Sequence, residues 1–143
     1  MFLRLIGYIW ASPNTLIGLL GALAAYATGG HVRVVAGVLE VEGGITSRML
    51  AAIPFLPSGA AAITLGHVVL AQRKMFSAML RVHERVHVSQ YEIWGPFFLP
   101  AYCVSSLWAY ATGRDPYRDN VFEREAFNES DVLMFADTIA ERW

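Results

Sequence analysis

Three long stretches of this chain carry no full charge, and they set the first limits on its fold. They lie between Arg4 and Arg33, between Arg48 and Arg73, and between Glu92 and Arg114. A membrane helix needs about 20 mostly apolar residues, so each stretch is long enough on length alone. Their contents separate them. Leu5–Val32 is interrupted by Ser12-Pro13-Asn14, and the apolar part that follows, Thr15–Tyr26, is short for a full span. The second stretch holds Pro54, Pro57, Ser58 and Gly59, then an apolar run to Leu70. It reads as a loop followed by a buried strand over Ile63–Ala71. The third opens Gly95-Pro96 and continues to Tyr110, which reads as a turn and a very apolar helix.

Composition narrows the class. Hydrophobic residues make up 55% of the 143 and charged residues 16%, with a mean hydropathy of +0.41. Average domains carry about 25% charged residues, so this chain is too apolar for disorder and short enough for one sizeable domain. A net charge of −1 gives no reason to expect nucleic acid as a partner. The single cysteine, Cys103, excludes an internal disulfide and a thiolate-rich zinc cage. Arg4, the apolar stretch after it and Ala22-Leu23-Ala24 are the parts of a signal peptide, although one basic residue and the Pro13-Asn14 interruption argue against it.

The remaining segments are readable in outline. His31–Glu42 is rich in β-branched residues around Ala36-Gly37, which predicts a hairpin, with Gly43-Gly44 as a breaker. A helix is expected over Met75–Ile93, closed by Gly95-Pro96. Two short helices are expected near Asn120–Phe127 and Ser130–Arg142. The last 30 residues hold four arginines and eight acids, a charged cap on an apolar body. The organisation is a single domain: an apolar helix or membrane anchor over 1–30, a core over 31–127 and a C-terminal helix over 128–143.

Within the expected helix stands His83-Glu84-Arg85-Val86-His87, an HExxH motif. Histidines four apart share one helical face, so both imidazoles can reach one ion. Glu84 projects to the side, where a carboxylate can hold an attacking water without ligating the metal. The bland reading is two surface histidines among Arg81, Glu84 and Arg85. A catalytic zinc usually takes three protein ligands and a water. No HExxHxxGxxH spacing follows, since Gln90 and Ile93 stand where Gly and His would be. The third ligand must come from elsewhere, and the acidic segment Asp119–Ala126 offers candidates in Glu123 and Glu125. Glu123 could instead close a capping box with Asn120.

With Glu123-Arg124-Glu125-Ala126 as an ExxA pattern on a following helix, the chain resembles the gluzincin type of zinc metallopeptidase. It also resembles small bacterial zincin-like families reading HExxH-V-x-Q, matched here by His87-Val88-Ser89-Gln90. The resemblance covers about residues 62–127 and is specific mainly at the HExxH helix. It implies an α+β, minimal zincin-like fold with an active-site helix, a small β-sheet and apolar flanking helices. It further implies zinc (Zn2+) held by His83, His87 and Glu123, with Glu84 as general base acting on a peptide or protein substrate. An edge strand should lie above the helix, and Ile63–Ala71 is placed to be that strand, along which substrate would add by β-augmentation. The sequence departs from the family at Phe127, where many members have Asp or Asn. The hydrogen-bond partner of a ligand histidine is then open among Asp119, Asn120 and Glu125.

Other residues have plain readings. His67 on the expected strand is read as a core histidine, and Cys103 as an inert buried thiol. Any of Tyr91, Tyr102, Tyr110 and Tyr117 could polarise a substrate carbonyl, against the default of a buried hydroxyl bonding backbone. Trp94, Trp108 and Trp143 are core residues or interfacial anchors. The expected partner besides substrate is a membrane, with a soluble cytoplasmic location as the alternative. The competing functional reading is a non-catalytic, zinc-stabilised, membrane-associated binding or assembly protein.

Overall fold

The computed structural model describes residues 2–53, 59–72 and 78–140. Its first element, α1 (Phe2–Ala27), runs straight through the expected break at Ser12-Pro13-Asn14. Proline removes the N–H that would bond the carbonyl four residues back, here that of Ile9. Ser12 Oγ donates to that carbonyl at 2.7 Å, so the orphaned acceptor is satisfied and the helix continues. Asn14 faces inward, and its Nδ2 donates to Gly95 O at 3.0 Å.

A hairpin follows, β1 (His31–Val35) and β2 (Val38–Glu42), turning at Ala36-Gly37 as the β-branched pattern predicts. After α2 (Gly44–Ala51) the chain returns as β3 (Ala62–Leu65) and β4 (Val68–Ala71). The single strand expected over Ile63–Ala71 is thus two antiparallel strands. Gly66 takes a positive φ of 61° and turns the chain against Thr15 of α1. The sheet order is β1-β2-β4-β3, with β2 and β4 parallel. β3 therefore forms one edge, and the fully buried β4 lies inside.

Side-chain alternation along β2 and β4 sends two apolar sets to opposite faces. Val41, Val68 and Leu70 meet Ala22 and Ala25 of α1. Val38 and Val69 meet Val88 of α3 (Ala78–Trp94). The close approach of α1 depends on its glycines: a β-carbon at Gly18 would lie 2.7 Å from Val68 Cβ. After a 3-10 turn at Gly95–Phe97 come α4 (Phe98–Ala111) and α5 (Val121–Ala140). α5 is one helix where two were expected, and it crosses the expected core boundary at residue 127. Asn128-Glu129-Ser130 contains no helix breaker, and Ser130 Oγ bonds back to Phe127 O at 2.9 Å. The α+β class is observed. The expected helix start at residues 75–77, the Pro54–Ser58 loop and Trp143 lie outside the described residues.

Candidate metal centre

α3 presents two different faces, each built from residues four apart. One carries Val88 to the sheet. The other carries His83 and His87, both buried, toward the first turn of α5. α5 begins at a defined register because Asn120 caps it: Oδ1 accepts from Phe122 N at 2.9 Å. Asn120 Nδ2 in turn donates to Tyr102 O and Ser106 Oγ of α4. Phe122 and Ala126 are buried, which turns Glu123 inward and leaves Glu125 exposed.

Glu123 lies between the two histidines. Its Oε2 is 3.1 Å from His83 Nε2, and its Oε1 is 3.5 Å from His87 Nε2. One ligand atom from each of the three residues falls within 4.8 Å of the others. Two imidazole nitrogens and a carboxylate oxygen form the donor set of a catalytic zinc, with the fourth position left for water. The residues present therefore fit that ion. Tyr102 Oη donates to Glu123 Oε1 at 2.6 Å and holds its carboxylate in place.

The tautomer of His87 follows from its neighbours. Gln90 Nε2 donates to Phe122 O at 3.1 Å and to Glu125 Oε2 at 2.8 Å. Its Oε1 can only accept, and it sits 2.8 Å from His87 Nδ1. Nδ1 therefore carries a proton, and Nε2 is the ring nitrogen turned toward Glu123. This is where Glu125 acts: it orients the histidine through Gln90 and stands outside the ligand cluster. Asp119, another candidate for that role, accepts from Asp115 N in the preceding loop. The Phe127 ring lies tilted against His83, with 4.7 Å between ring centroids.

Glu84 is buried beside the triad, and Thr64 Oγ1 of β3 donates to its Oε2 at 2.6 Å. Burial pushes the Glu84 carboxyl above the usual carboxylate range, although both histidines and Thr64 pull the other way. Glu123 is also raised by burial, but hydrogen bonds from His83, His87 and Tyr102 outweigh this and hold it down to about 2. Burial opposes protonation of His87, yet the Glu123 and Glu84 carboxylates win and raise its pKa. Two carboxylates 39 positions apart are thus pushed in opposite directions, one toward accepting a proton and one toward permanent charge.

The triad and Glu84 line a cavity of about 740 Å³ whose other walls are mostly apolar, including Ile63, Met79, Leu80, Phe98 and Phe127. Tyr91, Tyr102 and Tyr117 line it too, whereas Tyr110 is exposed on the outside of α4. His67 stays out of the cavity. It is buried in the β3–β4 turn, stacked on Tyr8 and 2.9 Å from Glu92 Oε1. Cys103 was expected to be buried and is exposed, because it falls on the outward face of α4. Thr64 is the residue that sequence reasoning did not single out, and Tyr102, named there among the tyrosines that could polarise a carbonyl, bonds Glu123. Thr64 lay within the expected strand, but with the Gly66 turn unseen its facing was not readable. No family model, curated protein or solved structure matches this chain.

Proposed function

We propose that the chain is a zinc-dependent, metallopeptidase-like hydrolase on a minimal zincin-like scaffold. One observation carries this reading. His83, His87 and Glu123, brought from two helices, converge in a buried cluster on the wall of a large cavity, with Glu84 beside them. Zinc held by those three side chains would supply the Lewis acid that makes water nucleophilic near neutral pH.

The chain's own residues account for the rest of the step. Thr64 fixes Oε2 of Glu84, which leaves Oε1 to take a proton from water. The raised carboxyl pKa suits a group that takes a proton and returns it. The water oxygen bonds the carbonyl carbon, the C–N bond breaks, and the proton held by Glu84 passes to the leaving nitrogen. Substrate alignment falls to β3, an edge strand of the sheet that packs on α3 and carries Thr64. An extended peptide can add to that edge by main-chain hydrogen bonds, with an apolar side chain entering the cavity among Phe98, Leu99 and Met79.

A purely structural zinc site is closed by four protein ligands. Among the described residues the cluster offers three, and it borders the cavity, which favours the catalytic reading. The test is a Glu84→Gln variant assayed on a mixture of apolar peptides alongside its zinc content. Retained zinc with lost hydrolysis supports the scheme. Unchanged hydrolysis in the variant removes Glu84 from it.

A further inference from the structure

We infer that the outward face of α1 docks on a lipid bilayer, lying along its surface without crossing it. α1 is built inside out for a helix of a water-soluble layer. Its inward face is made of small residues, with Ala11, Asn14, Gly18, Ala22 and Ala25 buried. Its outward row is made of large apolar ones. Leu5, Ile9, Leu16, Leu20 and Leu23 are each 57–69% exposed. These spacings place the two sets on opposite sides of one helix. Small residues at the contact and large ones outside is the arrangement of helices whose outer face meets hydrocarbon.

The patch does not end with α1. Trp10 Nε1 donates to Ile93 O at 3.2 Å, and its ring packs 6.2 Å from Phe97. Ile93 and Phe97 are themselves exposed, and α4 beyond them exposes Val104, Leu107 and Trp108. Contiguous apolar surface of this extent marks an interaction site on a single chain.

The 23 residues Leu5–Ala27 are long and apolar enough to cross a membrane, by length and composition. Crossing would nevertheless carry the rest of the domain into hydrocarbon. α1 packs along the sheet, whose edge strands β1 and β3 present backbone groups that lipid cannot satisfy. Arg33, Arg81 and Arg85, all partly exposed around Glu40, would be dragged in as well. Only the outward row can enter the bilayer, which is the geometry of an interfacial helix sunk about 5–10 Å.

The row itself selects the occupant. No charged side chain lies on α1 from Leu5 to Ala27, so the whole outward row can enter hydrocarbon without carrying a charge with it. Arg48 stands exposed on α2, which packs against α1, and the exposed Glu92 of α3 lies against Gly7 on the flank of the helix, so the charges near α1 border the row without entering it.

This inference is independent of the hydrolytic reading, and its test uses no substrate. The full chain is mixed with vesicles of phosphatidylcholine and phosphatidylglycerol and floated on a density gradient. The expected result is co-flotation, quenching of tryptophan fluorescence by brominated lipid, and release by alkaline carbonate. A Leu16→Glu/Leu20→Glu double variant should lose partition by about tenfold or more with its circular dichroism unchanged. His83→Ala should float like the wild type. Several results would overturn the inference: wild-type chain that stays at the bottom unquenched, a stable dimer in solution cross-linked through position 20, flotation that survives the double variant, or carbonate-resistant insertion.

Discussion

α3 neutralises two buried carboxylates with the same device, a pair of basic side chains four residues apart. Arg81 and Arg85 reach Glu40 of β2, joined by Arg33 of β1. His83 and His87 reach Glu123 of α5. The surroundings differ. Glu40 meets permanent cations, with Arg81 Nε at 2.8 Å, and Arg85 also ties down the carbonyl of Val35. Glu123 meets two groups whose lone pairs a metal can take, next to a cavity that can admit a substrate. A buried carboxylate is therefore informative about function only through its partners and the space beside it. The first cluster pins the hairpin to the helix. The second is a group that could hold a metal ion.

The comparison can be broken from either side, and the largest effect should come from the second cluster. Glu123→Ala should abolish zinc binding, because only two imidazoles remain and Tyr102 loses its partner. Elemental analysis of the purified variant checks this, and bound zinc at the wild-type level would show that Glu123 is no ligand. Next comes Glu84→Gln, expected to slow peptide hydrolysis by about 10²–10⁴-fold with zinc retained, read from initial rates at saturating metal.

Glu40→Gln should cost about 2 kcal/mol of stability at pH 7 and leave zinc content alone. That is below the range for a fully buried pair because the arginines are partly exposed. The sign with pH is definite. Burial raises the Glu40 pKa, but hydrogen bonds from Arg81 and Arg33 outweigh it and hold the value below the ordinary 4.5. The ionised form is thus favoured by folding. Its contribution is complete above pH 4.5 and is lost as pH falls through the lowered folded value. Urea unfolding of both chains at pH 7 and in acid should show the gap closing as pH falls, and a constant gap would remove ion pairing as its source.

Smaller effects should come from the supports. Gln90→Ala frees the His87 tautomer and should weaken zinc affinity by about 10–100-fold, measured by competition with a chelator. An unchanged affinity would leave Gln90 as a packing residue. Thr64→Val should lower the hydrolytic rate by about tenfold or less without altering zinc affinity, since the hydroxyl touches Glu84 and no ligand.

The legible parts of the sequence were those with strong local rules. The HExxH spacing on a helix, the Ala36-Gly37 hairpin and the Gly95-Pro96 turn are set by residues close in the chain. Glu123 was legible as a candidate through its ExxA pattern, but choosing it over Glu125 required knowing which face of α5 meets α3. Phe122 and Ala126 supply that signal, since both are buried on the side that turns Glu123 inward. α1 was hard to read because both its faces are apolar, one small and one large. A hydrophobic period shows contrast only against polar residues. Pro13 read as a break because the compensating hydroxyl of Ser12 is a matter of geometry. The buried strand over Ile63–Ala71 hid a hairpin because Gly66 was the single breaker inside an apolar run. Cys103 sits in that kind of ambiguity too, on a helix apolar all round.

The central claim is that His83, His87 and Glu123 hold one zinc with room for a water. X-ray absorption at the zinc edge of the purified full chain tests it most directly. The account predicts one zinc per chain with two imidazole nitrogens and oxygen donors at about 2.0–2.2 Å. Absence of zinc, a sulfur ligand near 2.3 Å, or an unchanged spectrum in His83→Ala would contradict it.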